Sequence, residues 1–415
     1  MTLSEELSWR GFLEKTTLKD IGVIDSGSLS FYWGVDPSSD SMTIGNLATA
    51  MMVMHFIKSG HKAYLLVGGA TGLIGDPDGK AAERTLLSIE QLNSNKHNIT
   101  SQYQQIFKGL SFEIVDNYDW FKDLSYITFL REIGKNVPMS QMLGREFVTT
   151  RLSSEGSGLS YAEFSYCLIQ GYDFLRLFKD HGVTLQLAGS DQWGNSIAGV
   201  DLIRRMESKE ANVWTAPLVI DRATGNKFGK TEAGAIWLDP KKTTPTAFYQ
   251  FWINASDESV EDFLKIYTLL SKDEIESLMA EHTKDPKNRL AQKSLASEVT
   301  KLVHGEEQTN KAKAITAYLI NEKNLSEATD DELAAIRIEI PSQKVGVNAS
   351  LVDVLVSSGL ASSNREAREF IAANAIYVNG QVFNGDTLSD KDFNSGRTLI
   401  RKGKAFKDSA LLEIN

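Results

Sequence analysis

The residues of this chain best suited to chemistry follow short apolar runs, where polar side chains and glycines gather. Tyr32–Ser38 ends one such run, and Thr43–Asn46 opens the helical pattern that comes after it. A strand, a turn and a helix N-terminus in this order expose backbone N–H groups that favour an anion. The pattern predicts a phosphate-binding edge, although by itself it also fits an ordinary strand-to-helix turn.

A second, glycine-rich segment, Gly68–Pro77, follows another apolar run. Its glycines allow a ligand or a neighbouring chain segment to approach the backbone closely, and Asp76 adds a carboxylate. The spacing matches neither common phosphate loop. Lys80 and Arg84 come next among small polar residues. They suit a lid that closes over phosphate, or simply a solvated helix start.

Tyr166, Gln170 and Asp173 are spaced so that they share one helix face. Such a face suits recognition of a polar small molecule, and it also fits an exposed polar stripe. Gly189–Asn195 follows a further apolar run and opens a helix. This order predicts polar side chains at the carboxyl end of the sheet, where open α/β sheets bind ligands.

The pentapeptide Lys227–Thr231 places two lysines around a glycine. Lysines on a flexible hinge can follow negative charge as it develops during a reaction. A solvated loop is the plain alternative for this pentapeptide alone.

These motifs require a sheet with helices on its faces. Over the first 220 residues, β-branched or aromatic runs alternate with helical patterns, which predicts a parallel sheet of the α/β class. We expect strands at Leu29–Val35, Ala63–Val67, Phe112–Val115, Leu185–Ala188 and Leu218–Ile220. Later residues show helical patterns at Val260–Leu270, Lys272–Glu281 and Asn288–His304.

Composition excludes several classes of protein. The 415 residues are 42% hydrophobic and 24% charged, which fits two to three globular domains and argues against a disordered chain. A single cysteine cannot form an internal disulfide. No targeting segment or membrane-length apolar run is visible, so we expect a cytoplasmic protein. The net charge of -10 disfavours non-specific coating of nucleic acid but permits a local basic face.

Taken in this order, the motifs resemble those of class I aminoacyl-tRNA synthetases, specifically the bacterial-type tyrosyl-tRNA synthetase family. The resemblance covers almost the whole chain through Gly68–Pro77, Lys80–Arg84, Phe164–Asp173, Gly189–Asn195, Lys227–Glu232, Trp237–Pro240, Phe248–Asn254 and Leu302–Glu307. It implies a Rossmann-like parallel-sheet catalytic domain at 1–225 and a signature loop with an α-helical anticodon-side domain at 226–321. The polar composition and weak periodicity of residues 322–347 predict a linker, which can include a short helix at Asp330–Ala335. A small α+β RNA-binding domain at 348–415 would follow.

The resemblance also implies the reaction and its partners. Tyrosine and ATP would give tyrosyl-adenylate and pyrophosphate, and the tyrosyl group would then move to tRNA(Tyr). Mg²⁺ would arrive with ATP, and no protein-held metal or prosthetic group is expected. No protein nucleophile is needed, because the tyrosine carboxylate attacks the α-phosphate itself. A homodimer is expected, with residues 117–151 as its interface.

By resemblance, the site residues fall into three sets. The first contacts substrate tyrosine, with Tyr32 and Asp173 hydrogen-bonding its phenol: Tyr32, Thr71, Asp76, Tyr166, Gln170 and Asp173. The second contacts ATP or the adenylate: Gly34, Asp36, Ser38, Gly45, Asp191 and Gln192. The third stabilises the transition state and the departing pyrophosphate: Thr43, Asn46, Lys80, Arg84, Lys227, Lys230 and Thr231.

One tetrapeptide departs from the family pattern. Thr43-Ile44-Gly45-Asn46 stands where the family has His-Ile-Gly-His. The Asn46 amide can still donate a hydrogen bond, but the Thr43 hydroxyl is short and cannot carry positive charge. The change predicts ~1–3 kcal/mol less transition-state stabilisation, unless Ser38 or the lysine loop compensates. Trp33 is also bulkier than the small residue expected beside the ribose. We therefore expect an active but slower enzyme, which Thr43→His would accelerate.

Residues 348–415 resemble the ribosomal S-four-like RNA-binding fold. Two helical patterns, Ala349–Gly359 and Ser362–Ile371, precede a strand and hairpin turn at Ile376–Gly380. Basic residues cluster there on an acidic chain, which indicates local phosphate contact, with a solubilising tail as the alternative. The predicted tRNA contacts are Arg365, Arg368, Arg401 and Lys402.

Two other functions fit parts of the sequence. The unusual Thr43 and Asn46 motivate a catalytically weakened relative that senses tyrosine or binds RNA as a regulator. Specificity for tryptophan is a nearer alternative, but the pair Tyr32 and Asp173 suits a phenol better than an indole.

Overall fold

The computed structural model describes residues 1–77, 86–144, 146–153, 158–223, 225, 228–231, 234–403 and 408–415. Within these ranges, the side chains of Gln141, Glu146, Phe147, Lys230 and Thr231 are outside the description. The chain forms two compact units. The first combines Met1–Asp239 with Ser256–Pro286, and the second combines Pro240–Ala255 with Lys287–Asn415. Among the described residues, no helix is both long and apolar enough to span a membrane.

The first unit is built on a six-stranded sheet of order β1-β6-β5-β2-β3-β4. Its strands are β1 (Lys15–Thr16), β2 (Ser30–Val35), β3 (Lys62–Val67), β4 (Phe112–Asp116), β5 (Leu185–Gly189) and β6 (Asn212–Ala216). Neighbours from β6 to β4 run parallel, and only the short β1 pairs antiparallel. A separate two-stranded pairing joins β7 (Lys230–Thr231) to β8 (Gly234–Ala235). The expected α/β fold class with a parallel sheet is confirmed.

The first unit also contains helices, several of which contact the sheet. They are α1 (Leu3–Arg10), α2 (Ile44–Lys58), α3 (Thr71–Ile74), α4 (Ile89–Ile106), α5 (Tyr118–Phe121), α6 (Tyr126–Glu132), α7 (Met139–Leu143), α8 (Glu146–Arg151), α9 (Tyr161–His181), α10 (Trp193–Glu207), α12 (Val260–Tyr267) and α13 (Lys272–His282). The second unit contains α11 (Pro245–Ile253), α14 (Leu290–Leu319), α15 (Asp330–Glu339), α16 (Leu351–Ser357) and α17 (Asn364–Ala372). It also holds a sheet of order β11-β10-β12-β13-β9, formed by β9 (Ser342–Val345), β10 (Ile376–Val378), β11 (Gln381–Val382), β12 (Arg397–Lys402) and β13 (Ser409–Ile414).

The expected strand Leu218–Ile220 is wrong. The sixth strand is instead Asn212–Ala216, which pairs with β5 from Leu185 to Gly189. Pro217 follows this strand directly, and a proline has no N–H with which to continue a ladder. The apolar run after it therefore leaves the sheet.

The helices α12 and α13 lie in the first unit rather than with the other helices of the expected domain 226–321. The buried guanidinium of Arg10 on α1 explains part of this packing. It donates hydrogen bonds to the carbonyl oxygens of Lys265, Thr268 and Leu270 at 2.6–3.0 Å. A charge buried beside three carbonyl groups fixes α12 against the N-terminal helix.

The expected linker 322–347 contains a helix at the place that the sequence allowed and, in addition, a strand that it did not predict. Residues Asp330–Glu339 form a helix, and Ser342–Val345 pair in parallel with Leu411–Ile414 of β13. Thr329 caps the helix through a hydrogen bond with Glu332, as a capping box requires. Apolar residues at Leu333 and Ile336 are fully buried. The polar composition of this segment therefore reflects one solvated face rather than a free connection.

The helix α2, which begins at the unusual tetrapeptide, contains a buried histidine with a lowered pKa. Burial lowers the pKa of His55 to about 4, and the charge of Arg10 adds to the effect. An ordinary histidine titrates near ~6.5. Because the unfolded chain binds a proton there more readily, the free energy of unfolding should fall by about 2–3 kcal/mol as the pH drops from 6.5 to 4. In urea unfolding across this pH range, His55→Gln should lose less free energy of unfolding than the parent or the exposed control His97→Gln. The same pH dependence of the free energy of unfolding in all three proteins would contradict this role of His55.

Candidate functional site

A cavity of about 400 Å³ opens at the carboxyl ends of the parallel strands. It is lined by residues that follow β2, β3, β5 and β6, together with the first turn of α2 and one face of α9. The order of the sheet reverses between β2 and β5, and a crevice at such a point is where open α/β sheets bind ligands.

The cavity brings most of the predicted residues together. Its lining includes every residue predicted to contact tyrosine or ATP and two of the catalytic set: Tyr32, Gly34, Asp36, Ser38, Thr43, Gly45, Asn46, Thr71, Asp76, Tyr166, Gln170, Asp173, Asp191 and Gln192. Lys80, Arg84 and Lys227 lie outside the described residues. For Lys230 and Thr231 only the backbone is described, as the strand β7. The roles of all these residues stay predictions.

One end of the cavity is closed by Asp173, a carboxylate that is only 1% exposed. Asn117 donates a hydrogen bond to one of its oxygens at 3.0 Å, and Trp120 donates to the other at 2.9 Å. Burial raises the pKa of the Asp173 carboxyl group well above its usual range, while these two donors act to lower it. The buried Tyr32 hydroxyl has no hydrogen-bond partner. This end therefore offers a carboxylate and an unused hydroxyl to a polar ligand group.

The middle of the cavity is organised around Asp36. Thr71 donates to one of its oxygens at 2.5 Å, and Tyr166 donates to the other at 2.6 Å. Gly68 makes this arrangement possible, because a Cβ there would lie 2.1 Å from an Asp36 oxygen and 2.3 Å from the Thr71 hydroxyl. A side chain at position 68 would displace both groups, which explains the glycine in physical terms.

Asp76 joins the glycine-rich segment to the start of α10. The Gln192 amide donates to it at 2.6 Å, and Asn195 donates to its other oxygen at 3.5 Å. Ser196 in turn donates to the Gln192 carbonyl at 2.9 Å. The two segments that follow β3 and β5 are thus held together at the cavity wall.

The unusual tetrapeptide forms a local hydrogen-bonded pair. The backbone N–H of Thr43 donates to the Asn46 side-chain oxygen at 3.0 Å, and the Thr43 hydroxyl donates to the same oxygen at 3.1 Å. Because the Asn46 oxygen accepts both bonds, its NH₂ group is left to donate elsewhere. Thr43 therefore sets the orientation of the Asn46 amide at the first turn of α2.

The segment around β7 and β8 is tied to the same helix start. Ile44 donates its N–H to Ile236, and Leu238 donates to Met42, at 3.1 and 2.9 Å. Gly229 has φ +91°, and a Cβ there would lie 2.7 Å from Ile44. A left-handed backbone in so tight a place requires glycine. The middle of the predicted lysine loop is thereby anchored beside the unusual tetrapeptide.

Several residues at the site were not predicted from the sequence. Gln186, next to Tyr32 in the sheet register, lines the cavity with an amide oxygen that is buried without a partner. Thr49 lies one turn beyond the tetrapeptide and also lines the cavity. The sequence could have marked Gln186, because it is a polar residue inside the apolar run Leu185–Ala188. No sequence pattern marks Asn117 and Trp120 as site residues, because they are far from Asp173 in the sequence and are brought to it only by folding.

Trp33 was expected to be a bulky neighbour of the ribose. It is only 4% exposed, and its ring packs against Tyr103 and Phe107 at centroid distances of 5.4 and 6.4 Å. Trp33 still lines the cavity, but its ring also packs against this aromatic cluster.

The predicted RNA-contacting residues lie on two elements of the second unit. Arg365 and Arg368 are exposed on α17, and Arg401 and Lys402 end β12. Arg401 is half-buried over the Tyr377 ring at 5.4 Å, and Lys402 lies over Phe370 at 4.8 Å. Among the described residues, no group of three or more His, Cys, Asp or Glu could hold a metal ion.

Comparisons with known proteins agree with this architecture. Residues 25–320 match the family described as tRNA synthetases class I (W and Y), and residues 332–406 match the Tyrosine–tRNA ligase SYY-like C-terminal domain. The chain is 45% identical to the Tyrosine–tRNA ligase of Geobacillus kaustophilus, over 97% of this chain and 98% of that protein. The corresponding ligase of Streptococcus suis is 44% identical, with the same coverage of both chains.

Solved structures give the same result. A C-terminally truncated mitochondrial tyrosyl-tRNA synthetase of Aspergillus nidulans has a TM-score of 0.69 at 28% identity, covering 77% of this chain and 94% of that one. A tryptophanyl-tRNA synthetase of Encephalitozoon cuniculi, at 14% identity and a TM-score of 0.54, covers 80% of this chain and 92% of that one and shares the fold alone. The chain belongs to the class I tRNA synthetases of the tryptophan and tyrosine family and, within it, to the bacterial-type tyrosine–tRNA ligases.

Proposed function

We propose that this chain activates tyrosine with ATP in the cavity at the carboxyl edge of the sheet and then transfers the tyrosyl group from the adenylate to tRNA(Tyr), with AMP as the leaving group. A carboxylate oxygen of tyrosine attacks the α-phosphorus of ATP, and the bond to the bridging oxygen of the β-phosphate breaks as pyrophosphate leaves. The observation that carries this proposal is that the partner-free Tyr32 hydroxyl and the buried Asp173 carboxylate line one cavity together with Asp191.

Substrate tyrosine enters with its phenol towards Tyr32 and Asp173. The phenol hydroxyl donates to Asp173 and accepts from Tyr32, which satisfies the partner-free Tyr32 hydroxyl. The ammonium group lies near Asp76 and Gln170, where a carboxylate and a buried, partner-free amide oxygen line the cavity. Phenylalanine lacks the phenol hydroxyl and would leave the buried Tyr32 and Asp173 groups unpaired, so it is rejected.

ATP occupies the opposite side of the cavity. Asp191 and Gln192 at the start of α10 contact the ribose or the adenylate, and the first turn of α2 supplies N–H groups near the phosphates. Mg²⁺ arrives with the ATP phosphates, and the predicted cations Lys80, Arg84, Lys227 and Lys230 neutralise the departing pyrophosphate. The protein's contribution is positioning and charge stabilisation.

Exchange of labelled pyrophosphate into ATP tests this function. The purified chain should catalyse exchange with tyrosine, and replacing tyrosine by tryptophan or phenylalanine should reduce the rate to background. Exchange driven by tryptophan would show the wrong amino acid specificity. No exchange with any amino acid would favour the regulatory alternative.

The pair Thr43 and Asn46 gives a smaller prediction. Thr43→Val keeps the side-chain shape but removes one hydrogen bond to the Asn46 oxygen, which is worth about 1 kcal/mol, so exchange should slow ~5-fold. Thr43→Ser should stay near the parent rate. In an Asn46→Ala background, Thr43→Val should cost nothing further, since nothing is left to orient. Independent, additive losses would contradict the coupling. Thr43→His would lose the hydrogen bond from the Thr43 hydroxyl to Asn46, which opposes the gain expected from the imidazole.

A homodimer fits a set of exposed large apolar and aromatic side chains on the first unit. Tyr126, Ile127, Met139, Leu152 and Tyr161 are 54–70% exposed, and the hydroxyls of Tyr126 and Tyr161 lie 3.1 Å apart. Large apolar side chains exposed in one part of a surface commonly belong to an interface. A second copy of this chain is the proposed occupant, around the predicted interface 117–151. Sedimentation velocity should give twice the chain mass, and a stable monomer would contradict the proposal.

The basic residues of the second unit are proposed to bind tRNA(Tyr). Arg365 and Arg368 are exposed, and the surface ion pair of Arg365 with Glu369 is one that contact with a phosphate group could replace. The division into a catalytic domain, an anticodon-side helical domain and an RNA-binding domain stays a proposal, as does the cytoplasmic location.

A further inference from the structure

Two glycines lie in the contact between the helices α9 and α10. A Cβ on Gly199 of α10 would lie 2.8 Å from the Cβ of Phe174 on α9. A Cβ on Gly171 of α9 would lie 3.3 Å from the backbone of Ala198 and Gly199. The two helix backbones therefore approach each other closely at Gly171, and Gly199 lies directly against Phe174.

These two helices carry different parts of the site. Tyr166, Gln170 and Asp173 line the cavity from α9. The segment that leads into α10 contributes Asp191 and Gln192, and Gln192 is hydrogen-bonded to Asp76 at 2.6 Å. The separation of the helices thus determines how far the tyrosine-contacting face lies from the proposed adenylate side.

Phe174 extends this link to the phenol end. It is fully buried, and its ring lies 5.2 Å from the ring of Tyr32 between centroids. It also directly follows Asp173 in the sequence. Pressure from α10 on Phe174 would therefore move the α9 backbone beside Asp173 and press on Tyr32 at the same time.

We propose that Gly199 is a positioning residue that sets the spacing between the tyrosine-contacting face of α9 and the adenylate side of the cavity. The proposal rests on the proposed function, since it assigns one substrate to each helix. The atom facing Gly199 is a Cβ, which is fixed to the backbone and cannot rotate away. Ordinary carbon contacts need ~3.5–4.0 Å, so a methyl group would require the helices to separate by up to ~1 Å. A displacement of this size in a catalytic arrangement costs on the order of 10²-fold in rate.

Gly199→Ala tests this directly in the full chain. Pyrophosphate exchange and equilibrium titrations with tyrosine and with ATP are measured separately. We expect kcat/KM for tyrosine to fall ~10–100-fold, with weaker tyrosine binding, while the dissociation constant for ATP changes less than ~2-fold. Val200→Ala is the matched control, because Val200 is the next residue of α10 and packs against the same core cluster. It should lower thermal stability without changing the tyrosine constants.

Gly171→Ala gives a graded second variant. Its closest contacts, at 3.2–3.3 Å, are less severe, so it should fold and show the same pattern at ~3–10-fold. The spacing role would be overturned if both variants kept the parent kcat/KM and dissociation constant for tyrosine. It would also be overturned if ATP binding weakened as much as tyrosine binding. If the parent chain itself shows no tyrosine-dependent exchange, the proposed function fails instead, and the tyrosine titration still reports on the spacing.

Discussion

Asp173→Asn is expected to lower kcat/KM for tyrosine in pyrophosphate exchange by ~10²–10⁴-fold. The substitution removes the acceptor for the substrate phenol. It also turns an NH₂ group towards Asn117 or Trp120, which both donate to the Asp173 carboxylate. A lost hydrogen bond to a charged group and a buried donor without an acceptor together cost about 3–5 kcal/mol.

The control for this variant is Asp180→Asn on the same helix. Asp180 is exposed and pairs with Arg176, and surface ion pairs of this kind contribute little. It should leave exchange unchanged. If Asp173→Asn retained more than a tenth of the parent kcat/KM, the phenol would have to be recognised elsewhere.

Reversing the charges of Arg365 and Arg368 to glutamate should weaken tRNA charging ~100-fold and leave pyrophosphate exchange unaltered. Both side chains are exposed on α17. Two lost contacts between a cation and a phosphate cost about 3 kcal/mol together. The dependence of tRNA affinity on salt should also become shallower by about two counterions.

Lys391→Glu provides the matched control, since Lys391 is exposed in the same unit but outside the predicted contacts. The rate of aminoacylation is measured at several tRNA concentrations for the double reversal and for the Lys391→Glu control. Charging that survives the double reversal would remove α17 from the tRNA-binding surface. A parallel loss of exchange would mean that the variant had damaged the catalytic unit.

The strands and motifs around the cavity could be predicted because their signals are local. A buried parallel strand is a short apolar run, and the polar residues that follow it must lie at one edge of the sheet. Gly68–Pro77 and Gly189–Asn195 obey this rule, as does the shared face of Tyr166, Gln170 and Asp173 on α9. The resemblance to a known family then supplied the roles that spacing alone could not.

Contacts between distant parts of the chain were not predictable. Asn117 reaches Asp173 across 56 residues, and nothing in its own neighbourhood marks it. The helices α12 and α13 join the first unit partly through Arg10, more than 250 residues away. The strand β9 could not be predicted from its polar sequence, because it is stabilised by pairing with β13 at the other end of the domain. In each case the stabilising partner is remote in sequence.

The orientation of Thr43 and Asn46 also required the structure. The sequence shows a departure from the family tetrapeptide and suggests a weaker site. The hydrogen bonds from Thr43 to the Asn46 oxygen show that the two residues act together. A substitution that looks unfavourable alone is thus accommodated by its neighbour.

A structure of the chain with bound tyrosine tests the central claim most directly. The account predicts the phenol oxygen within hydrogen-bond distance, ~3 Å, of both Tyr32 and Asp173, and the carboxylate directed towards Asp191. Tyrosine bound in the reverse orientation, or outside the cavity, would contradict it.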